Sequence, residues 1–284
     1  MPELPDFDPH DFAPGQPIDN PYFPLREGFT YHYAGREFDE ATGAFALAPN
    51  DVRVPHEHKQ VDGVQALVVS DTDDPGSQPS EVTRDYYAQD KHGNVWSTGE
   101  LTTQIVRDRQ GKVVKVTHEG SWEAGVNGAK PGLVMKAHPH VGDDYFREHA
   151  PGVALDGAAV TTADTTLSDH GRTYHHVLVT KETSALDPGV VEFKWYAPGV
   201  GLVLSREYDQ GRLVSTSHFE GVQPNGSADA GGHGAARLTL VLPSDLGAAA
   251  PGTLTVANAT AHTGMPAAFP VDGHLPPLDL ASLF

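Results

Sequence analysis

Carboxylates, tyrosines and an amide alternate along the stretch "EVTRDYYAQDKHGNVWSTGE". Read as a β-strand, it places Asp85, Tyr87 and Gln89 on one face, because successive side chains of a strand point to opposite faces. Beyond the Gly-Asn turn, the same alternation puts Trp96 and Glu100 on a common face. A pocket lined by these five side chains would combine apolar walls with a few polar groups, as ligand sites usually do.

Carboxyl groups enclosed in such a pocket could do more than bind. Burial raises the pKa of an acidic side chain, so Asp85 and Glu100 could give or take a proton near neutral pH. The alternative is a solvated outer face for this strand, with Trp96 in the core. The chain has no Gly-x-Ser-x-Gly elbow, phosphate loop or dinucleotide fingerprint, which argues against common hydrolase, NTPase and dehydrogenase chemistry.

Histidine is frequent, with sixteen residues, and two pairs have the spacing His-x-His. In a strand, His56 and His58 share a face and can bind one metal ion, and neutral imidazoles suit Zn, Cu or Fe. His138 and His140 form the second pair. If the two pairs meet in space, they form a four-ligand metal centre. The alternative is that they are isolated surface histidines.

The charge and the absence of cysteine exclude several classes of function. Asp and Glu number 38 against 19 Lys and Arg, for a net charge of −19, and such a surface repels nucleic-acid phosphates. With no cysteine there are no disulfides, thiol nucleophiles or thiolate metal sites. No apolar run approaches the ~18 residues of a membrane-spanning helix. We therefore expect neither a nucleic-acid partner nor a transmembrane segment.

The elements that position these residues are short strands. The 30 glycines and 23 prolines are spread between short apolar runs, which is typical of all-β proteins. The stretches "DYYAQDKHGNVW" and "KWYAPGVGLVL" match, as do "RDRQGKVV" and "EYDQGRLV". We interpret these matches as two β-meander repeats within residues 28–222, at 28–125 and 141–222. About a dozen strands would curl or close, so the sequence predicts a strongly curved antiparallel sheet or a lipocalin-like barrel.

Three further segments flank or interrupt the repeats. Residues 1–27 form an extended Pro-rich arm, which lacks the basic and apolar regions of a leader peptide. Residues 120–152 include the Gly- and Pro-rich connection between the repeats, interpreted as a long loop that either covers the pocket or is a plain excursion. Residues 223–284 have a linker composition, then two strand-like runs and a Pro-rich tail. The terminal arms could pair subunits in a homo-oligomer.

Four blocks carry a resemblance to a family of uncharacterised bacterial exported proteins. They are "NPYFPLREGFTYHYAG", "RDYYAQDKHGNVWSTGE", "GSWEAGVNGAKPGLVMKAHPHVGDDYFREH" and "KWYAPGVGLVLSRE", and together they extend over residues 20–207. The resemblance implies an extracytoplasmic protein, periplasmic or secreted, with a lipocalin-like or half-barrel fold and no assigned reaction. The leader would then be absent from this sequence. At "VPHEHK" we expect the family to have one histidine, so the pair His56 and His58 would be particular to this chain.

Three hypotheses follow. In the first, an exported β-barrel protein binds a small or lipid-like ligand in a polar and aromatic cavity. In the second, a metalloprotein, either a hydrolase or an oxidoreductase, uses the four histidines. In the third, the chain is an interaction module whose arms pair subunits. The sequence leaves open whether the protein is an enzyme.

Overall fold

The structure is a computed structural model that describes residues 2–73 and 79–226, and two short segments at 238–240 and 254–256. The chain divides into two compact units, Met1–Ala228 and Asp229–Phe284. In the described part of the first unit there are sixteen strands, one 3-10 turn at Pro9–Asp11 and no α-helix. No helix in the described residues is long and apolar enough to cross a membrane.

The strands of the first unit are short and follow one another closely. The first eight are β1 (Phe29–Asp39), β2 (Ala44–Leu47), β3 (Asn50–Val54), β4 (His58–Val61), β5 (Val64–Asp73), β6 (Glu81–Gln89), β7 (Val95–Arg107) and β8 (Val113–Thr117). The next eight are β9 (Trp122–Glu123), β10 (Lys130–Met135), β11 (Asp144–Ala150), β12 (Ala154–Asp169), β13 (Arg172–Ser184), β14 (Val190–Ala197), β15 (Gly201–Asp209) and β16 (Arg212–Pro224). In the second unit, β17 (Leu238–Leu240) and β18 (Leu254–Val256) pair antiparallel.

Twelve strands of the first unit close into an antiparallel barrel. The order around the barrel is β1, β3, β5, β6, β7, β10, β11, β12, β13, β14, β15 and β16, and β16 pairs again with β1. The predicted curved antiparallel sheet or lipocalin-like barrel is thereby confirmed. Closure pairs the strands that would otherwise form open edges, which removes sites for aggregation.

Tight hairpins at glycine turns connect several of these strands. Between β12 and β13, His170 and Gly171 have φ values of 45° and 77°, and between β15 and β16, Gln210 and Gly211 have 48° and 79°. Positive φ at both central residues is the signature of the type I′ turn, whose twist matches that of the flanking strands. The glycines of these turns therefore allow consecutive strands in the second half of the barrel to pair as antiparallel hairpins.

The segment interpreted as a loop, residues 120–152, is not a loop, and that prediction is wrong. It contributes β9, β10 and β11, and β10 pairs with both β7 and β11 to complete the barrel. Its Gly and Pro residues obscured the alternation expected of strands. Gly132 is required by close backbone approach, since a Cβ there would lie 2.3 Å from the Arg147 carbonyl oxygen.

The N-terminal arm packs on its own barrel. Glu3 forms a parallel bridge with Tyr145 of β11, and Asn20 donates from its amide to the carbonyls of Gly93 and Lys136 at 2.9 and 3.1 Å. Ile18 is buried in the same apolar cluster as residues of the barrel. These contacts occupy the arm within one chain, so they do not support its predicted role in pairing subunits. Most of the C-terminal arm lies outside the described residues.

Candidate functional site

Two adjoining cavities lie among the barrel strands. Their volumes are about 570 and 140 Å³. Both are lined by Tyr33, Val52, Asp71, Lys194 and Leu202. The larger cavity extends towards the connection between β5 and β6, and the smaller one lies against the buried apolar cluster. The barrel therefore contains space with a mixed polar and aromatic wall, as ligand sites have.

Asp85 and Glu100 form a directly opposed pair across β6 and β7. Asp85 and Tyr87 line the smaller cavity, whereas Glu100 lines neither barrel cavity and borders a separate cavity of about 330 Å³ next to Trp122. Opposed residues of an antiparallel pair share a face, so the two carboxyl groups point to the same side of the sheet. The structure thus brings together Asp85, Tyr87 and Glu100 of the predicted site.

A one-residue irregularity in β7 separates Trp96 from this group. Asp85 opposes Glu100 and Tyr87 opposes Ser97, so three steps along β7 match two steps along β6. Gly99 lies in this bulge with φ of 148°. An extra residue in one strand reverses the alternation beyond it. The prediction that Trp96 and Glu100 share a face is therefore wrong.

Trp96 packs on the opposite side of the sheet from Tyr87. It opposes Ala88, which neighbours Tyr87 in β6, and its ring makes edge contacts with Phe7 and Phe12 of the N-terminal arm. Its indole Nε1 donates to Asp90 at 2.9 Å. We therefore assign Trp96 to anchoring the arm, and it does not line the cavity with Tyr87.

Gln89 also holds the arm in place. Its side-chain Oε1 accepts from the backbone N–H groups of Asp19 and Asn20 at 3.0 and 2.9 Å, and its Nε2 donates to the Asp19 carboxylate at 2.6 Å. These bonds use its polar groups, and Gln89 does not line either barrel cavity. Its contacts indicate a structural role at the end of β6.

A buried ionic network forms the opposite wall of the smaller cavity. The Glu182 carboxylate forms ion pairs with Arg147 and with Lys194, the latter at 2.9 Å, and accepts from the Thr180 hydroxyl at 3.0 Å. Lys194 also pairs with Glu192 at 3.0 Å. Burial alone would raise the pKa of Glu182, but Arg147 and Lys194 together hold that pKa below its usual value.

The carboxyl groups on the Asp85 side form no such ion pairs, and the more distant charges of Arg147 and Lys194 offset burial only in part. Burial raises the pKa of Asp85 well above its usual value, and the charges of Asp71 and Glu148 raise it further. Burial likewise raises the pKa of Asp71 to about 6. Burial and the charge of Asp85 raise the pKa of Glu100 to about 8, and burial and the charge of Glu100 raise the pKa of Glu148 to about 8. Several of these groups are therefore neutral acids near pH 7, which can donate a hydrogen bond or a proton.

The internal repeat indicates two cavity residues, Lys194 and Tyr196, that the sequence analysis did not assign to the site. Aligning "DYYA" with "KWYA" equates Asp85 with Lys194 and Tyr87 with Tyr196, and all four line the smaller cavity. The sequence indicates Glu182 less clearly. It follows Leu178 and Thr180 at alternate positions of a strand, so it shares their face of the sheet. Arg147 was missed because the segment that contains it was interpreted as a loop.

The four predicted metal ligands do not converge. His56 and His58 both lie near the Glu27 carboxylate, at 3.0 and 3.7 Å, and His56 is largely exposed. His138 and His140 are exposed in the connection between β10 and β11. Among the described residues, the one group of three metal-ligating side chains with ligand atoms within 4.8 Å of one another is Asp169, His170 and His218. The structure therefore does not support one centre built from the two predicted pairs.

The β12–β13 hairpin contacts β16 through Asp169, His170 and His218. His218 Nδ1 lies 2.9 Å from an Asp169 carboxylate oxygen, and the His170 and His218 rings stack with centroids 4.2 Å apart and planes at 12°. In stacked rings the nitrogen lone pairs lie in parallel planes and do not point to a common ion. We therefore interpret this group as a fastening contact between two distant parts of the barrel.

Comparison with solved structures finds a few proteins of low similarity to this chain. No protein-family model matches it, and no curated protein matches it. A Bacteroides fragilis protein with a YmcC-like fold, provisionally described as exported, is 14% identical with a TM-score of 0.37, covering 71% of this chain and 98% of that one. A Parabacteroides distasonis protein, provisionally described as a lipoprotein, is 13% identical with a TM-score of 0.34 and the same coverages, 71% and 98%. Similarity at this level transfers neither function nor location.

Proposed function

We propose that the protein is a binding protein that holds a small or lipid-like organic ligand inside its barrel. The observation that carries the proposal is that Asp85, whose carboxyl has neither an ion pair nor a side-chain hydrogen bond among the described residues, lines a cavity walled by tyrosines. Asp85 is half-buried, so its carboxyl is partly withdrawn from water, and a ligand that gives it a partner recovers part of that cost in free energy.

The size and composition of the cavities support a ligand larger than a few waters. The larger cavity alone, at about 570 Å³, falls in the range of pockets for small organic molecules. Its wall is mixed, with Tyr33, Leu202 and Ile105 beside Asp71 and Lys194. A ligand with an apolar body and a polar end would match both parts.

We also propose that the protein works outside the cytoplasm, as the resemblance of its sequence blocks to exported proteins implies. Fractionation of cells that express the full-length gene from its native start tests this. Recovery of the protein in the periplasm or medium supports the proposal, and recovery with the cytoplasmic marker alone contradicts it.

Native mass spectrometry of the purified protein tests ligand binding directly. We expect an organic molecule to co-purify, or the neutral dye N-phenyl-1-naphthylamine to bind with enhanced fluorescence. Ser217 lines the larger cavity, so the bulky side chain of Ser217→Trp should obstruct it and weaken both signals. The control is Ser168→Trp, at an exposed site near the β12–β13 turn. No co-purified molecule and no dye binding in the unmodified protein would contradict the proposal.

A further inference from the structure

The charge distribution of the cavity indicates which class of ligand it takes. We propose that the ligand is an organic cation, whose charged group lies between Asp85 and Asp71 and whose apolar part lies against the tyrosine wall. This inference rests on the proposed function and adds the chemical class of the ligand to it.

The basic residues of the cavity are already neutralised. Lys194 pairs with both Glu182 and Glu192, and Arg147 pairs with Glu182. Their charges are therefore committed to carboxylates of the protein itself. An anionic ligand would have to compete with Glu182, which is buried and bound by both cations.

Asp71 and Asp85, the acidic residues that line the smaller cavity, form no ion pair among the described residues. Asp71 accepts one hydrogen bond from the Asn50 amide. Glu100 and Glu148 do not line this cavity, but both interact electrostatically with Asp85 and add negative charge near it. A cationic group is the ligand feature that would compensate these carboxyl groups, because opposite charge favours their ionised form.

The walls around these carboxyl groups are aromatic. The rings of Tyr31, Tyr33, Tyr87, Tyr196 and Phe23 line the smaller cavity, and Phe23 meets Tyr87 edge to face at 5.4 Å. The face of an aromatic ring attracts a cation, and more strongly where water is excluded. This combination of carboxyl and aromatic groups favours an organic ammonium over a hydrated metal ion, which would need more oxygen ligands.

Binding of a cation should release protons from this site. Burial and like charge raise the pKa of Asp71 to about 6 and that of Glu100 and Glu148 to about 8, so a bound cation would draw these groups into their ionised forms. The charged and titratable groups around the site include Asp71, Asp73, Glu81, Asp85, Glu100, Arg147, Glu148, Asp156, Glu182, Glu192, Lys194 and the tyrosines 31, 33, 87 and 196. Affinity for a permanently charged ligand should therefore rise from about pH 6 to about pH 9.

The experiment compares three probes with the same apolar chain. Octyltrimethylammonium, octanol and octanoate are titrated into the full chain by calorimetry, in buffers of different ionisation enthalpy to count released protons. We expect the ammonium probe to bind at least about tenfold more tightly than octanol, and octanoate to bind most weakly. The quaternary nitrogen of octyltrimethylammonium does not titrate, so any pH dependence of its binding arises from the protein.

Asp85→Asn is the decisive variant, with the exposed Asp187→Asn as its matched control. Asparagine resembles the neutral form of Asp85, so we expect the variant to fold. Circular dichroism and a thermal melt test whether it does. We expect Asp85→Asn to lose about tenfold or more in affinity for the ammonium probe while its affinity for octanol is unchanged. Asp187→Asn should bind both probes as the unmodified protein does.

The outcomes separate this inference from the proposed function. Equal binding of all three probes, unchanged in Asp85→Asn, would overturn the cation assignment and leave a ligand-binding barrel. Preference for octanoate would overturn it in favour of Arg147 and Lys194 as the ligand contacts. Binding of no probe, together with no co-purified molecule, would contradict both proposals.

Discussion

Trp96 and Glu100 point to opposite faces of β7, although an even number of steps separates them. Trp96 opposes Ala88 and Glu100 opposes Asp85, and those two partners are an odd number of residues apart in β6. The bulge that contains Gly99 causes this reversal. One glycine thus decides that an acid faces the carboxyl group of Asp85 while an indole anchors the N-terminal arm.

Gly99→Ala should destabilise the barrel. A Cβ at this position would lie 2.6 Å from the Trp122 carbonyl oxygen, and φ of 148° is unfavourable for alanine. We expect the free energy of unfolding to fall by about 2 kcal/mol or more, measured by urea denaturation. Gly221→Ala is the control, because a Cβ there meets no atom within 4 Å. Equal stability of the two variants would show that the bulge does not depend on glycine.

Glu182→Gln should be among the most damaging conservative changes in the chain. It removes the negative charge that Arg147 and Lys194 share in the interior, and leaves two cations buried with reduced compensation. Breaking a buried pair by removing one partner costs about 3–5 kcal/mol. Guanidinium denaturation measures this loss. Glu192→Gln, which removes only one contact of Lys194, should cost less, and the reverse order would contradict the central role of Glu182.

The stability of the barrel should fall as the pH rises through the neutral range. The pKa of Glu100 and of Glu148 rises from 4.5 to about 8 in the folded protein, so between these values the folded state holds more protons than the unfolded state. The stability that these neutral groups allow is present below pH 4.5 and is lost as the pH approaches 8. The lowered pKa of Glu182 has the opposite effect on stability, which rises with pH, and this effect is confined to pH values below this range. Urea denaturation across this range should show a decrease of about 2 kcal/mol or more.

Glu100→Gln should flatten this pH profile. The variant has one group fewer to ionise, and without Glu100 the largest neighbouring charge that raises the pKa of Glu148 is gone. We expect the variant to gain stability near pH 8 relative to the unmodified protein, because glutamine does not ionise. Glu119→Gln, at an exposed position, should leave the profile unchanged. A profile that stays as steep in Glu100→Gln would mean that other groups cause it.

The N-terminal arm should stabilise the barrel without joining subunits. Phe7 and Phe12 contact Trp96, with ring centroids at 5.3 and 6.2 Å. The double variant Phe7→Ala/Phe12→Ala should expose Trp96, shift tryptophan fluorescence to longer wavelength and cost about 2–4 kcal/mol. Its sedimentation coefficient should match that of the unmodified protein. A change in association state would contradict an intramolecular arm, and exposed Phe45→Ala controls for loss of an aromatic side chain.

Repetition in the sequence had more predictive value than the patterns of single strands. The matched stretches around Asp85 and Lys194 become facing parts of one cavity, and their aromatic partners Tyr87 and Tyr196 line it too. Because equivalent strands of two meanders occupy opposite sides of one closed sheet, equivalent positions meet across its interior. The two His-x-His pairs are not related by the repeat. Their spacing suits binding of a metal ion within one pair, but it does not predict whether the two pairs lie close together.

The sequence by itself determined the class of fold, because strand alternation and glycine turns are local properties that the chain expresses within a few residues. It also determined the acidic and aromatic stripe at Asp85 and Tyr87. Only the tertiary structure decided which faces point inward beyond the bulge at Gly99, and that Glu182 neutralises Arg147 and Lys194. These outcomes depend on strand register and on closure of the sheet, which bring residues together that are far apart in the chain.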